Sequence, residues 1–311
     1  MTKTQVACIG AGPIGSSWAI VFARAGHNVR LYDKEEHVFK HSLAYIERSL
    51  ADLRSEELVS DDHEIRARIQ AGVSLADAVQ DAGVIIESIT ENVDLKRRFF
   101  SDLDKLIPRK AFVTSSTSAI PGSEFMDHVK MRDRCLIAHP VNPPHLLPVV
   151  EICRTPWTSQ ATFTACWLLM KQVGQYPIQV NKEIPAFVVN RLQGALIGEA
   201  LHLVDEGVIS VEDLDITVKY GIGRRLAFTG PFESMHLNSN LSFDAYLTKY
   251  KDVLRTMIEA TEVKHPLSKE LLEKVATERN RLLPLEEIAE RKAWRDRQLM
   301  KIAKLWAEAK K

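Results

Sequence analysis

The sequence predicts an α/β fold in which an N-terminal doubly wound parallel sheet is followed by an all-helical C-terminal domain. Three observations carry this reading. Apolar, strand-like runs alternate with amphipathic segments up to about residue 185. Helical periodicity without competing strand alternation continues from there to the end. The first 33 residues read strand, glycine-rich turn, helix, strand, acid. A sheet built this way receives its ligands at the C-terminal ends of its strands.

Val6 to Ile9 is a short apolar run, and Gly10-Ala11-Gly12-Pro13-Ile14-Gly15 comes directly after it, opening an amphipathic segment through Ala25. Glycines at this spacing serve a tight turn, a close approach of backbone to a pyrophosphate, and tight packing of helix on strand. The free N–H groups and positive dipole end of such a helix suit phosphate. The next strand, Asn28 to Tyr32, delivers Asp33, where a carboxylate can accept from both ribose hydroxyls. The whole unit is a Rossmann-type dinucleotide site, with Gly10, Gly12, Pro13, Ile14, Gly15 and Asp33 as cofactor-binding residues. A carboxylate at Asp33 repels a 2′-phosphate, so the cofactor expected is NAD.

A charged helix is expected over Glu35 to Leu53, then an acidic connection holding Glu56, Glu57, Asp61, Asp62 and Glu64. Another strand–helix unit follows, with Val73 leading into a helix over Leu75 to Gln80. Gly83 to Ser88, apolar until its C-terminal end, reads as a buried parallel strand. A charged helix over Asn92 to Leu106 precedes a strand at Ala111 to Ser115. Cys135 to Ala138 and Val149 to Cys153 complete the sheet, with Gln175 to Asn181 as an extension. The hinge falls at Glu183 to Ala186, dividing a cofactor domain (1–185) from a helical substrate and dimerisation domain (186–311). Helices are expected over Phe187 to Val204, from Val211 to Tyr220, and over Phe243 to Ala260, Ser268 to Arg281 and Leu285 to Lys310. Trp294, Leu299, Ile302 and Leu305 make an apolar stripe on the last, suited to core packing or to a subunit contact.

Bulk properties narrow the class. With 311 residues the chain can bury a sizeable core, and 41 basic against 41 acidic residues offer no field for nucleic acid or an anionic membrane. The apolar runs are too short and interrupted to span a bilayer, and the start of the chain shows no signal-peptide pattern. Cys8, Cys135, Cys153 and Cys166 are scattered without metal-ligand spacing. A soluble cytosolic protein without a metal site is expected.

Three segments fall where the reacting end of a dinucleotide should lie. Thr114-Ser115-Ser116-Thr117-Ser118 is a hydroxyl cluster directly after a strand, which would also suit a solvated helix cap. His139 ends an apolar strand, and prolines stiffen the adjoining loop Val141-Asn142-Pro143-Pro144. Glu151 lies inside an apolar strand, 12 residues beyond His139. A lone buried carboxylate is costly and needs a partner; His139 is the economical one. A His–carboxylate pair suits alcohol oxidation. The imidazole takes the hydroxyl proton as hydride leaves the carbon, and the carboxylate orients the ring and favours the imidazolium that forms.

GAGPIG with Asp33, Glu91-Asn92 with Lys96, Ser115 to Ser118, His139 with Asn142-Pro143, Glu151, and Phe187-Val188-Val189-Asn190-Arg191 together resemble the 3-hydroxyacyl-CoA dehydrogenase superfamily over the whole chain. The resemblance implies His139 as base with Glu151 as its partner, and Ser118 and Asn190 hydrogen-bonding at the substrate oxygen. It also implies Glu91 and Lys96 beside the cofactor, Asn142 among the substrate-binding residues, and a homodimer formed through the helical domain. A CoA enzyme commonly carries cations in the helical region after the second strand. Here that region sets five carboxylates against Arg54, Arg66 and Arg68. Gly221 to Phe228 places Arg224 and Arg225 in a glycine-flanked loop that is either a solvated turn or a guanidinium clamp for a small carboxylate. Arg225 matches a basic position of small-substrate relatives. The expected reaction is therefore NAD-dependent oxidation of the 3-hydroxyl of a free hydroxy acid such as L-gulonate. The alternatives are a 3-hydroxyacyl-CoA substrate, carnitine or a pyridine alcohol, and a structural protein without turnover. Carnitine would ask for an aromatic cage, which the sequence does not locate.

Overall fold

The computed structural model describes residues 3–238, 240, 242–261 and 267–308. Contacts divide the chain into two units, residues 1–191 with 292–311, and residues 192–291.

The first unit holds an eight-stranded sheet. Its strands and helices are β1 (Gln5–Ile9), α1 (Pro13–Arg24), β2 (Asn28–Tyr32), α2 (Glu36–Ser55), α3 (Asp62–Ala67), β3 (Ile69–Ala71), α4 (Leu75–Val79), β4 (Ala82–Glu87), α5 (Val93–Leu103), β5 (Phe112–Ser115), β6 (Cys135–Pro140), β7 (Val149–Arg154), α6 (Gln160–Gln172) and β8 (Tyr176–Val180). The order across the sheet is β3-β2-β1-β4-β5-β6-β7-β8. Alternate residues of each central strand face opposite cores: Val6, Cys8, Val84 and Ile86 join Trp18, Phe22, Leu50 and Met170 on one side. Ala7, Ile9, Ile85 and Val113 join Phe100, Leu103 and Phe125 on the other. Burial on both faces is why these strands read as unbroken apolar runs.

The sheet is not wholly parallel as expected. β7 runs antiparallel to β6, and β8 is parallel to β7, so the last two strands are reversed. The link from β6 to β7 is a short loop rather than a crossover helix, and a short link can join only antiparallel neighbours. The helices α3 and α6 were absent from the expectation, as was a third, Pro231–His236, in the second unit. Serine and asparagine set several starts: Ser74, Asn92 and Ser159 each accept an N–H of the first turn at α4, α5 and α6.

The chain continues with helices α7 (Val189–Asp205), α8 (Val211–Ile216), α9 (Gly223–Leu226), α10 (Pro231–His236), α11 (Phe243–Ala260), α12 (Lys269–Leu282) and α13 (Ile288–Glu308). The helical run agrees with the sequence pattern, and Lys310, its expected end, lies outside the described residues. Two details differ. Residues 221–226 are not a loop: a π-helical stretch, Thr217–Ile222, kinks at Gly221 and passes straight into α9. The expected helical domain 186–311 also gives up its last segment, because residues 292–311 group with the sheet. Met300 is buried in the first core, Leu299 packs on it, and Lys304 pairs with Glu57 after α2. Among the described residues no helix is long and apolar enough to cross a membrane.

Candidate active site

The crevice opens where strand order reverses, between β1 and β4. Gly10 closes the turn after β1 with a φ of +96°, and a Cβ there would meet Ser88 O at 2.4 Å. A Cβ on Gly15 would lie 1.8 Å from Gly10 O, so α1 sits against the turn only because residue 15 is glycine. Gly12 differs: a Cβ on it would meet nothing within 4 Å. It is the N-cap of α1, has no side chain to cap the helix, and is followed by Pro13 at the first helical position. Ile14, behind Pro13, packs on the core. Open space over a helix N-terminus without an acidic first turn suits a pyrophosphate. Asp33 faces the same turn. Its two oxygens accept the Ala11 N–H at 2.8 Å and the Glu35 N–H at 3.0 Å, and the remaining lone pairs are available to ribose hydroxyls.

His139 and Glu151 are directly opposed across the β6–β7 pair, so their side chains share a face. His139 Nδ1 is 2.7 Å from Glu151 Oε2, and both residues are buried. The other carboxylate oxygen accepts the N–H groups of Val188 and Val189, at 2.8 and 3.1 Å. Burial pushes the Glu151 carboxyl up, but the hydrogen bonds from His139, Val188 and Val189 outweigh it and hold it below the usual carboxylate range. An ionised Glu151 makes Nδ1 the donor. Nε2, which bonds to none of the described residues, is then left as a bare acceptor.

The segment that supplies those N–H groups also reaches His139 and the hydroxyl turn. Ala186 and Phe187 are left-handed, with φ of 65° and 46°, and both conformations are strained for residues with a Cβ. Phe187 is fully buried with its ring 5.6 Å from that of His139. Asn190 Nδ2 donates to Ser118 O at 2.8 Å. The hydroxyl turn is tied in its own right to Glu91, whose Oε1 accepts from Thr117 Oγ1 (2.6 Å), Ser118 N (2.9 Å) and Ala119 N (3.0 Å). Burial raises the Glu91 carboxyl, yet Thr117, Lys96 and the two backbone donors leave it lowered overall. Lys96 is buried and lies between Glu91 and Glu87, a residue that the sequence reading missed. The signal was there: Glu87, like Glu151, is a carboxylate on an otherwise apolar strand. Asn142 stands exposed on the loop after β6. Arg225 is exposed on α9 in the second unit.

The sequence profile of the 3-hydroxyacyl-CoA dehydrogenase NAD binding domain matches residues 5–184, and that of the 3-hydroxyacyl-CoA dehydrogenase C-terminal domain matches residues 187–280. This chain belongs to the 3-hydroxyacyl-CoA dehydrogenase family. As a member of that family it is an NAD-dependent dehydrogenase acting on CH–OH groups. It is 36% identical to rabbit (Oryctolagus cuniculus) lambda-crystallin over 306 residues, 97% of this chain and 96% of that protein. It is 37% identical to the human lambda-crystallin homolog over 308 residues, 96% and 95% of the two chains. Among solved structures, 5-formyl-3-hydroxy-2-methylpyridine 4-carboxylic acid 5-dehydrogenase, an NAD+-dependent dismutase, superposes with a TM-score of 0.85 at 26% identity, covering 98% of each chain. The open cradle at Gly12 and the Asp33 carboxylate fit the NAD that the family uses.

Proposed function

We propose that this family member oxidises the 3-hydroxyl of a small free hydroxy acid, L-gulonate or a close analogue, to the 3-keto acid, with the His139–Glu151 pair as general base. The observation that carries the reading is the buried 2.7 Å contact of Nδ1 with an ionised carboxylate, which leaves Nε2 free to take a proton. Bound NAD supplies the hydride acceptor. Gly10, Gly12, Pro13, Ile14, Gly15 and Asp33 hold its adenosine and pyrophosphate portion, with Glu91 and Lys96 toward the other end. The substrate hydroxyl gives its proton to His139, and Glu151 steadies the imidazolium. Ser118 and Asn190 hydrogen-bond the oxygen as it becomes a carbonyl, while Asn142 and Arg225 bind the rest of the substrate. General-base help of this kind contributes roughly 10²–10⁴-fold in rate.

A free acid is preferred to a CoA thioester because the three arginines flanking the acidic stretch after β2 are already engaged. Arg54 pairs with Asp62, Arg66 with Glu47 and Arg68 with Glu64. Arg225 on the helical unit is the proposed partner of the substrate carboxylate. The same unit carries large apolar side chains in solvent, among them Leu192 (65% exposed), Val208 (68%) and Phe232 (72%), which supports a homodimer formed through it. Light scattering of the purified protein checks that, and a monomer would refute it. Four buried free cysteines suit a reducing cytosol. The deciding experiment is a turnover screen of gulonate, 3-hydroxybutyrate, carnitine and 3-hydroxybutyryl-CoA with NAD. A free hydroxy acid should give the highest kcat/KM. Preference for the thioester would replace this reading with the acyl-CoA one.

A further inference from the structure

Glu87 is the last residue of β4, in register with Ile9 on β1 and Ser115 on β5, so it stands at the floor of the crevice. Its side chain is fully buried, and that of Lys96 on α5 is 1% exposed. Lys96 Nζ donates to Glu87 Oε1 at 2.7 Å, the Ile89 N–H donates to the same oxygen at 2.9 Å, and Ser115 Oγ donates to Oε2 at 2.5 Å. Replacing a buried ion pair by apolar residues is often neutral or stabilising, so stability is a poor reason for the fold to keep one. What the pair positions is a better one.

The route from Glu87 to the hydroxyl turn runs through Lys96. Lys96 lies 3.5 Å from Glu91 Oε2, while the opposite oxygen of Glu91 gathers the donors of Thr117, Ser118 and Ala119. A lysine released from Glu87 would close fully on Glu91 and turn that carboxylate away from its four donors, the Ser118 hydroxyl among them. We propose that Glu87 is a positioning residue: by engaging Lys96 it leaves Glu91 free to hold the Thr117–Ala119 turn and, with it, the Ser118 hydroxyl. Glu87, fully buried, acts through Glu91.

What Ser118 does at the substrate rests on the function proposed above, so the test has a second readout that does not need a substrate. Glu87→Gln, Glu87→Asp, Glu91→Gln and the double variant Glu87→Gln/Glu91→Gln are compared in the full chain by thermal melting, NADH fluorescence titration, and kcat and KM. Misplacing the turn by the order of an ångström should lower kcat about 10²-fold in Glu87→Gln, with KM for the hydroxy acid moving far less. NADH affinity should weaken about tenfold, as for a lost hydrogen bond to a charged group. The double variant should be no worse than Glu91→Gln alone in either readout. Glu87→Asp keeps the charge and hence the fold, and should show the same losses in milder form. Multiplying losses in the double variant, or unaltered kcat and NADH affinity in a folded Glu87→Gln, would overturn the proposal; if Glu87→Gln does not fold, wild-type behaviour of Glu87→Asp does so. Should the unmodified protein oxidise no hydroxy acid, the function reading fails, and the NADH cycle still decides the role of Glu87.

Discussion

Exchanging Glu151 for glutamine removes one charge and almost no volume, and the surrounding donors dictate how the new amide must lie. Val188 and Val189 present two N–H groups to one side of the carboxylate, at 2.8 and 3.1 Å. In Glu151→Gln the amide oxygen must face them, because the alternative sets NH₂ against two donors in a buried site. The amide NH₂ is thereby turned toward His139 Nδ1, 2.7 Å away in the unmodified protein. Nδ1 becomes an acceptor, the ring proton moves to Nε2, and the only nitrogen free to act as base is already protonated. The wrong tautomer in a His–carboxylate pair costs on the order of 10⁴-fold in kcat. Stability should fall by only about 1–3 kcal/mol, the worth of one charge-assisted hydrogen bond replaced by a neutral one. The assay is kcat from NADH appearance at saturating substrate, with melting temperature and NADH affinity as controls. His139→Ala and the double variant complete the set. The double variant should be no slower than His139→Ala, as expected for two residues acting as a unit. A folded Glu151→Gln retaining kcat within tenfold, or losses that multiply in the double variant, would refute the tautomer argument.

The same contacts set other expectations. Asp33 tethers the glycine turn through Ala11 and is the proposed acceptor of the ribose hydroxyls, so Asp33→Ala should weaken NADH binding on the order of 10–10²-fold; it should also narrow the gap to NADPH, read by fluorescence titration of both. Arg225→Met should raise KM for a hydroxy acid at least about tenfold with kcat nearly kept, and Arg225→Lys should restore it only in part, because an ammonium lacks the guanidinium fork. Equal KM values would remove the clamp. The Glu151 and Glu91 carboxyls are both depressed in the folded protein. Their stabilisation is therefore fully present above the ordinary carboxylate pKa near ~4.3 and is lost as pH falls through the folded values. Denaturation midpoints should drop below that pH, and less steeply in Glu151→Gln; an equal slope would contradict the assignment.

Short-range regularities carried most of the fold and part of the site. The unit from Gln5 to Asp33 was legible because strand, turn, cap and helix are each specified within a few residues, and its glycines at 10 and 15 stand where a Cβ would strike backbone. Asn92 and Ser268 announced helix starts by the same local chemistry. The pairing of His139 with Glu151 could be inferred from the cost of burying a charge alone.

Tertiary packing decided the rest, because no local pattern encodes it. An apolar run looks the same in either strand direction, so only the sheet shows that β7 is reversed and that His139 and Glu151 stand opposite each other. The apolar stripe of α13 states that something must cover it, but not that the cover is the first core, reached by Met300 and Leu299. Backbone donors are invisible in a sequence: the two N–H groups that hold Glu151 directly follow a strained turn and lie 37 and 38 residues away. The Glu87–Lys96 pair is nine residues apart on a strand and a helix. Periodicity says which face of each element is buried; which charged groups meet there depends on how strand and helix are packed together.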